Sequence, residues 1–158
     1  MSDLTHLDAD GRASMVDVSE KPETKRVAVA KGRIFMASET LALIDAGGVK
    51  KGDVYTVARL AGIMAAKKTA DIIPLCHPLP IQNVQVDLVS NKKESCVDIT
   101  ATASLYGRTG IEMEALAAVS VAGLAIYDMC KAVDKSMRIS DVRLIHKSGG
   151  RSGAYNAD

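Results

Sequence analysis

A chain of 158 residues with a formal net charge of +1 fits one domain, residues 1–158, and argues against bulk nucleic-acid binding, which needs a basic surface. With no Trp and one Phe there is also little aromatic surface on which bases could stack. Cys76, Cys96 and Cys130 are odd in number and far apart, and Met1 to Asp10 is polar and acidic, so a reduced, cytoplasmic setting is expected.

Residues 1–14 are Asp-rich and show no periodicity, which suggests a mobile N-terminal arm. From Lys25 to Met36 short alternating and apolar runs (Val27, Val29, then Ile34, Phe35 and Met36) suggest an extended segment. Ser38 is a candidate N-cap for a short helix, Glu39 to Asp45, which Gly47-Gly48 would stop. Asp53 can cap a second helix from Val54 to about Lys68, with Val54, Val57, Ala58, Ala61 and Ala65 on one face. Next comes Ile73-Pro74-Leu75-Cys76-His77-Pro78-Leu79-Pro80. Its prolines fix φ, remove donors and restrict the residues before them, so the backbone around His77 is stiff.

Val84, Val86 and Leu88 alternate, as do Val97, Ile99, Ala101, Ala103 and Leu105; with Ser90 to Ser95 between them they predict a β-hairpin. Gly107-Arg108-Thr109-Gly110 then turns into a long helix from Ile111 to about Val133, whose Ala, Gly and Ser content permits close packing. Its apolar part, Met113 to Val133, is interrupted by Glu114, Asp128 and Lys131, which argues against a membrane span. Ser140 to Ile145 reads as a last strand, and residues 147–158 as a mobile, glycine-rich basic tail. Strand, helices, hairpin, long helix and strand make an α+β layout. Helices would pack on one face of a mostly antiparallel sheet, in a ferredoxin-like manner.

Several side chains could carry chemistry. His77 reads either as an ordinary loop residue or as a positioned group that meets an anion or carries a proton. Cys76 beside it is a poor chelating partner, because neighbours in an extended segment point to opposite faces, and no second ligand stands at zinc-like spacing. No metal site is expected. Asp128 and Lys131 are three apart on one helix face, and read either as an exposed ion pair or as groups lining a site. Lys50-Lys51-Gly52-Asp53 reads as a solvated turn or as a place where Lys51 reaches a ligand. Glu112-Met113-Glu114 complements the helix N-terminus, and a carboxylate there could also accept from a guanine-like edge. Arg26, Lys147 and Arg151 read singly as surface charges; gathered with Lys51, Lys131 and His77 they would suit a polyphosphate.

Seven stretches together resemble one family. They are Met-Val-Asp-Val-Ser at 15–19, Lys-Gly-Asp at 51–53, Ala-Gly-Ile at 61–63, Ile-Pro-Leu-Cys-His-Pro at 73–78, Thr-Gly-Ile-Glu-Met-Glu-Ala-Leu at 109–116, Tyr-Asp-Met-Cys-Lys-Ala at 127–132 and Lys-Ser-Gly-Gly at 147–150. The resemblance is to the MoaC family, the cyclic pyranopterin monophosphate synthases of molybdenum cofactor biosynthesis, and runs from about Leu4 to Gly153. It implies a lyase that converts a 3′,8-cyclised dihydro-GTP to cyclic pyranopterin monophosphate and releases pyrophosphate. It implies Asp128 as catalytic carboxylate with Lys51 and Lys131 as acid–base lysines; because such a conversion is a series of proton transfers, lysines of lowered pKa are expected. Leu75, Cys76, His77, Glu112, Met113 and Glu114 would touch substrate, and Arg26, His77 and Lys147 would hold the triphosphate. No cofactor is implied, although Mg²⁺ could accompany the triphosphate. The implied assembly is a hexamer, a trimer of dimers, with sites at subunit interfaces. A binding module that leaves its ligand unchanged, or an oligomer that uses Asp128–Lys131 as an intersubunit bridge, would use the same residues.

Overall fold

The computed structural model describes residue 7 and residues 10–151 and 153–157. Strand β1 (Thr24–Phe35) is followed by helices α1 (Ser38–Asp45), α2 (Val54–Lys67) and the single turn α3 (Thr69–Ile72). Strands β2 (Asn83–Asn91) and β3 (Cys96–Gly107) form the expected hairpin, and α4 (Glu112–Cys130), β4 (Arg138–Ser148) and β5 (Tyr155–Asn156) complete the order. The sheet runs β2-β3-β1-β4-β5 with every pairing antiparallel. Each helical crossover, β1 to β2 and β3 to β4, leaves room for one strand of the other unit. This interleaving is the ferredoxin-like α+β arrangement.

The core lies between the sheet and the α2–α4 layer. On β3 the alternating row Val97, Ile99, Ala101, Ala103 and Leu105 is buried, as its period of two requires. On β1 the buried row is Arg26, Ala28, Ala30, Gly32 and Ile34, while Val27 and Val29 are only half-buried on the other face. The reason is the close approach of α4: a Cβ at Gly32 would come within 2.6 Å of Val119 Cγ1. By composition alone α4 is long and apolar enough to cross a membrane, but it is the central core helix and contacts β1, β3, β4 and α2.

The helix ends show where local reading holds and where it does not. Asp53 caps α2 as expected, accepting from the Thr56 amide at 3.0 Å. Gly47 ends α1 at φ 68°, with Gly48 N–H donating to Leu43 O and Gly47 N–H to Ile44 O, a Schellman motif. Ser38, the expected N-cap of α1, does not cap it; Ala37 holds that position and makes no side-chain cap. The carboxylate comes instead from the loop after α4: Asp134 accepts from the Ala37 amide at 2.9 Å and from Thr40 Oγ1 at 3.2 Å.

The buried face of α2 also differs from expectation. Val54, Ala58 and Ala65 are buried as expected, but Val57 is exposed and Ala61 half-exposed, and Gly62 and Ala66 complete the packed face in their place. Gly62 sets this face, because a Cβ there would lie 2.9 Å from the Ala118 carbonyl of α4. Val57, Leu60 and Met64 are left facing outward. At the chain ends, the expected N-terminal arm lies largely outside the described residues, except Leu7, which bridges Ala13, and 10–14. Past Ser148 the chain turns through Gly149-Gly150 and returns as β5 along β4, Lys147 opposite Tyr155.

Candidate active site

Two clusters contain the expected site residues. The first is at the C-terminal end of α4. Asp128 and Lys131 meet because the helix puts residues three apart on one face, and Lys131 Nζ donates to Asp128 Oδ1 at 2.6 Å. Lys51, from the turn before α2, reaches the same carboxylate, donating from Nζ to Oδ2 at 2.9 Å and to the Asp128 backbone oxygen at 2.8 Å. Lys51 thus also satisfies a last-turn carbonyl, as cations do at helix C-termini. The hydrogen bonds from Lys131 and Lys51 hold the Asp128 carboxyl down to about 2. In return the Asp128 hydrogen bond pushes the Lys131 ammonium up. The lowered lysine pKa expected from the sequence is therefore not found at Lys131 within one chain. Its carboxylate partner is ionised, and the cluster is about half exposed, so the little burial there opposes the charge less than Asp128 favours it.

The second is a cleft of about 480 Å³ at the opposite end of α4, a size suited to a small molecule. The proline segment forms one wall and contributes Leu75, Cys76, His77 and Leu79. The first turn of α4 gives Glu112, Met113 and Glu114; β4 and the turn after it give Lys147, Gly150 and Arg151; the start of β1 gives Thr24 and Arg26. Glu114 is only 3% exposed, and burial raises its carboxyl pKa, with the charge of Glu112 adding to the effect. Glu112 itself forms an ion pair with Lys147. Burial, then Glu114 and Glu112, push the Cys76 thiol up, so it stays protonated at neutral pH and is a poor metal ligand. Among the described residues no three His, Cys, Asp or Glu side chains gather as a cation site.

Three cleft cations were singled out in the sequence as well as His77: Arg26, Lys147 and Arg151. Lys21 and Arg108 also line it and were not. Arg108 Nη1 donates to the Ser19 carbonyl at 2.7 Å and so ties residues 19–23 to the rim. Its signal was its place in the Gly-Arg-Thr-Gly turn just before a helix. Arg26, read singly as a surface charge, is instead 7% exposed and ends the buried row of β1.

One chain does not bring the two clusters together. Sixteen residues of helix separate Glu112 from Asp128, which at the usual rise is about 24 Å, longer than a nucleotide triphosphate. The cleft thus holds the groups expected to meet the ring and the triphosphate, and the far end of the same helix holds those expected to transfer protons.

The chain matches the MoaC family over residues 15–150. It is 61% identical over 158 residues to a cyclic pyranopterin monophosphate synthase of Dinoroseobacter shibae, covering 100% of both chains. A protein of the same name from Thermomicrobium roseum is 57% identical over 158 residues, covering 100% of this chain and 95% of the relative. Another from Rhodospirillum rubrum is 60% identical over 154 residues, covering 98% and 93%.

Proposed function

The chain belongs to the MoaC family and is an enzyme of molybdenum cofactor biosynthesis, and from that premise we propose that it converts 3′,8-cyclised dihydro-GTP to cyclic pyranopterin monophosphate and pyrophosphate. The observation that carries this reading is one carboxylate, Asp128, holding two ammonium groups, Lys51 and Lys131. Opening the purine-derived ring and re-closing it as a pyranopterin is a series of proton transfers, and such a cluster can deliver and accept them. The carboxylate keeps the ammonium groups oriented, and Lys131 in its present state is a proton donor.

In the cleft, Glu114 accepts from the N–H groups of the guanine-like edge, with Leu75, Cys76 and Met113 around the ring. His77, Lys147, Arg26, Lys21 and Arg151 provide the positive field for the triphosphate. Mg²⁺ would enter with the triphosphate, as part of the substrate. The active unit is a dimer whose two copies of α4 run antiparallel, so that the cleft of one chain faces the Asp128 cluster of the other. A two-fold axis then makes two equivalent sites. The outward apolar stripe Val57, Leu60 and Met64 on α2 supports a surface covered by a second copy. Covering the cluster removes water from Lys131 and moves its pKa back toward the range useful for acid–base work. Three such dimers form a hexamer in the cytoplasm, where the free thiols of Cys76, Cys96 and Cys130 stay reduced.

The test is direct. Purified protein is mixed with cyclised GTP, and pyrophosphate and the oxidised, fluorescent pterin are followed. Lys51→Ala, Lys131→Ala and Asp128→Ala should each lower turnover by about 10²–10⁴ while circular dichroism stays unchanged. Near wild-type pyrophosphate release from all three would sink the reading.

A further inference from the structure

Arg26 is the only charged residue in the β1 row that faces the helix layer, and its guanidinium is engaged by backbone. Nε donates to Gly107 O at 2.9 Å, Nη2 to Arg108 O at 2.7 Å and Nη1 to Gly110 O at 3.4 Å. These three carbonyls belong to the loop that enters α4, whose N-cap residue, Ile111, makes no side-chain cap. On its other side Gly150 lies against the guanidinium. A Cβ there would come within 2.7 Å of Nη1, and a Cβ on Gly149 would collide with the Lys25 carbonyl. Both glycines have positive φ, 96° and 78°, and the Gly150 amide donates to Thr24 Oγ1 at 3.1 Å. Arg26 therefore joins three segments that each carry cleft residues: the start of β1, the loop before Glu112 and Glu114, and the turn after Lys147.

We propose that Arg26 is a positioning residue, which fixes the loop 107–110 and with it the first turn of α4, so that Glu112 and Glu114 meet the substrate ring in register with the chemistry. This rests on the reading of the cleft as the substrate site and goes beyond it: the role of Arg26 is the planar fork that binds three carbonyls, over and above the charge it lends to the triphosphate. A lysine keeps the charge but cannot make that fork. A loose first turn displaces the ring, and a displacement near 1 Å costs about 10²-fold in rate.

The experiment compares wild type, Arg26→Lys and Gly150→Ala by steady-state kinetics, by pyrophosphate binding measured calorimetrically, and by amide exchange at residues 107–114. Gly150→Ala pushes Arg26 out of place without removing it. For both variants we expect kcat to fall about 10–100-fold. Pyrophosphate affinity should stay within about threefold of wild type, since a cation is retained, and exchange at 107–114 should be faster. An Arg26→Lys protein with wild-type kcat, or one whose pyrophosphate affinity drops while kcat is kept, overturns the proposal in favour of a plain charge contact. Two variants that both fail to fold overturn it in favour of a purely structural arginine. A wild-type protein that does not convert cyclised GTP sinks the proposed function itself, and is distinguishable because the amide-exchange comparison does not depend on turnover.

Discussion

Glu114 sits in the first turn of α4 with its carboxyl almost wholly out of water, and burial favours its protonated form. A ligand that offers two N–H donors favours the ionised form instead. Binding must therefore remove a proton at any pH below the raised pKa, and affinity has its full value only above it. As pH falls through that value, which lies above the ordinary 4.5, affinity should weaken toward a limit of about tenfold per pH unit. Glu114→Gln should bind about 10–100-fold more weakly, through loss of charge-assisted hydrogen bonds, and should lack this pH dependence. Titrating cyclised GTP into a Lys51→Ala background, with and without Glu114→Gln, isolates the effect. Protonation of His77 or of the triphosphate affects both proteins alike, so only the difference between the profiles reports Glu114. Parallel profiles would remove Glu114 from ring recognition. At this scale the sequence was readable where spacing is local: Asp128 and Lys131 declare themselves by being three apart on a helix. Lys51 lies 77 residues from Asp128, and nothing in its own neighbourhood says which carboxylate it meets. Arg26 carried a usable sign, a charge in period-two step with Ala28, Ala30 and Ile34, but taken singly it read as a surface charge.

Asp134 does for α1 what Ser38 was expected to do, from 97 residues away. Its Oδ2 takes the Ala37 amide and the Thr40 hydroxyl, and its Oδ1 takes the Ser136 amide at 2.9 Å and hydroxyl at 2.7 Å. These bonds, that to Ala37 foremost, lower its carboxyl pKa from the ordinary 3.8 to about 2. A carboxylate depressed on folding adds stability that is full above its unfolded value and disappears as pH falls through its folded one. The loss attributable to Asp134 should fall between about pH 4 and pH 2. Asp134→Ala leaves several donors without a partner, and should destabilise the fold by about 1–3 kcal/mol near neutrality. Thermal melts of the two proteins across this acid range would show wild type approaching the variant as the pH drops; a constant gap would mean that the carboxylate charge is not what ties the loop to α1. The same case explains how far the elements could be read in advance. The hairpin, the Asp53 cap and the Gly47-Gly48 stop rest on neighbours within a few residues, and all three are found. The α1 cap and the replacement of Val57 and Ala61 by Gly62 and Ala66 on the inward face of α2 depend on partners in α4 and the loop after it, so local pattern could not supply them.

The proposed chemistry is divided between the two ends of one helix. Glu112 and Glu114 are fixed by the first turn of α4, and Asp128 and Lys131 by its last, so a rigid helix keeps them about 24 Å apart in any single chain. A shared site is the arrangement that uses both ends, and it can be tested without a structure of the assembly. Lys131→Ala removes the proton-transfer end and Glu114→Ala the ring-facing end, and each protein alone should be nearly inactive. In a dimer made of one of each, one site combines both lesions, while the other combines the intact Lys131 of one chain with the intact Glu114 of its partner. Random pairing makes about half the dimers mixed, with one of two sites restored in each, so co-expressed variants should regain about a quarter of wild-type turnover. Leu60→Glu, added to both chains, puts charge on the outward stripe of α2; if that stripe is the covered surface, the assembly should dissociate on a sizing column and the regained turnover should vanish with it. If each chain carries a complete site, the mixture stays as inactive as its components, whatever the assembly state. An active mixture and an inactive one therefore separate a site built between two chains from a site built within one.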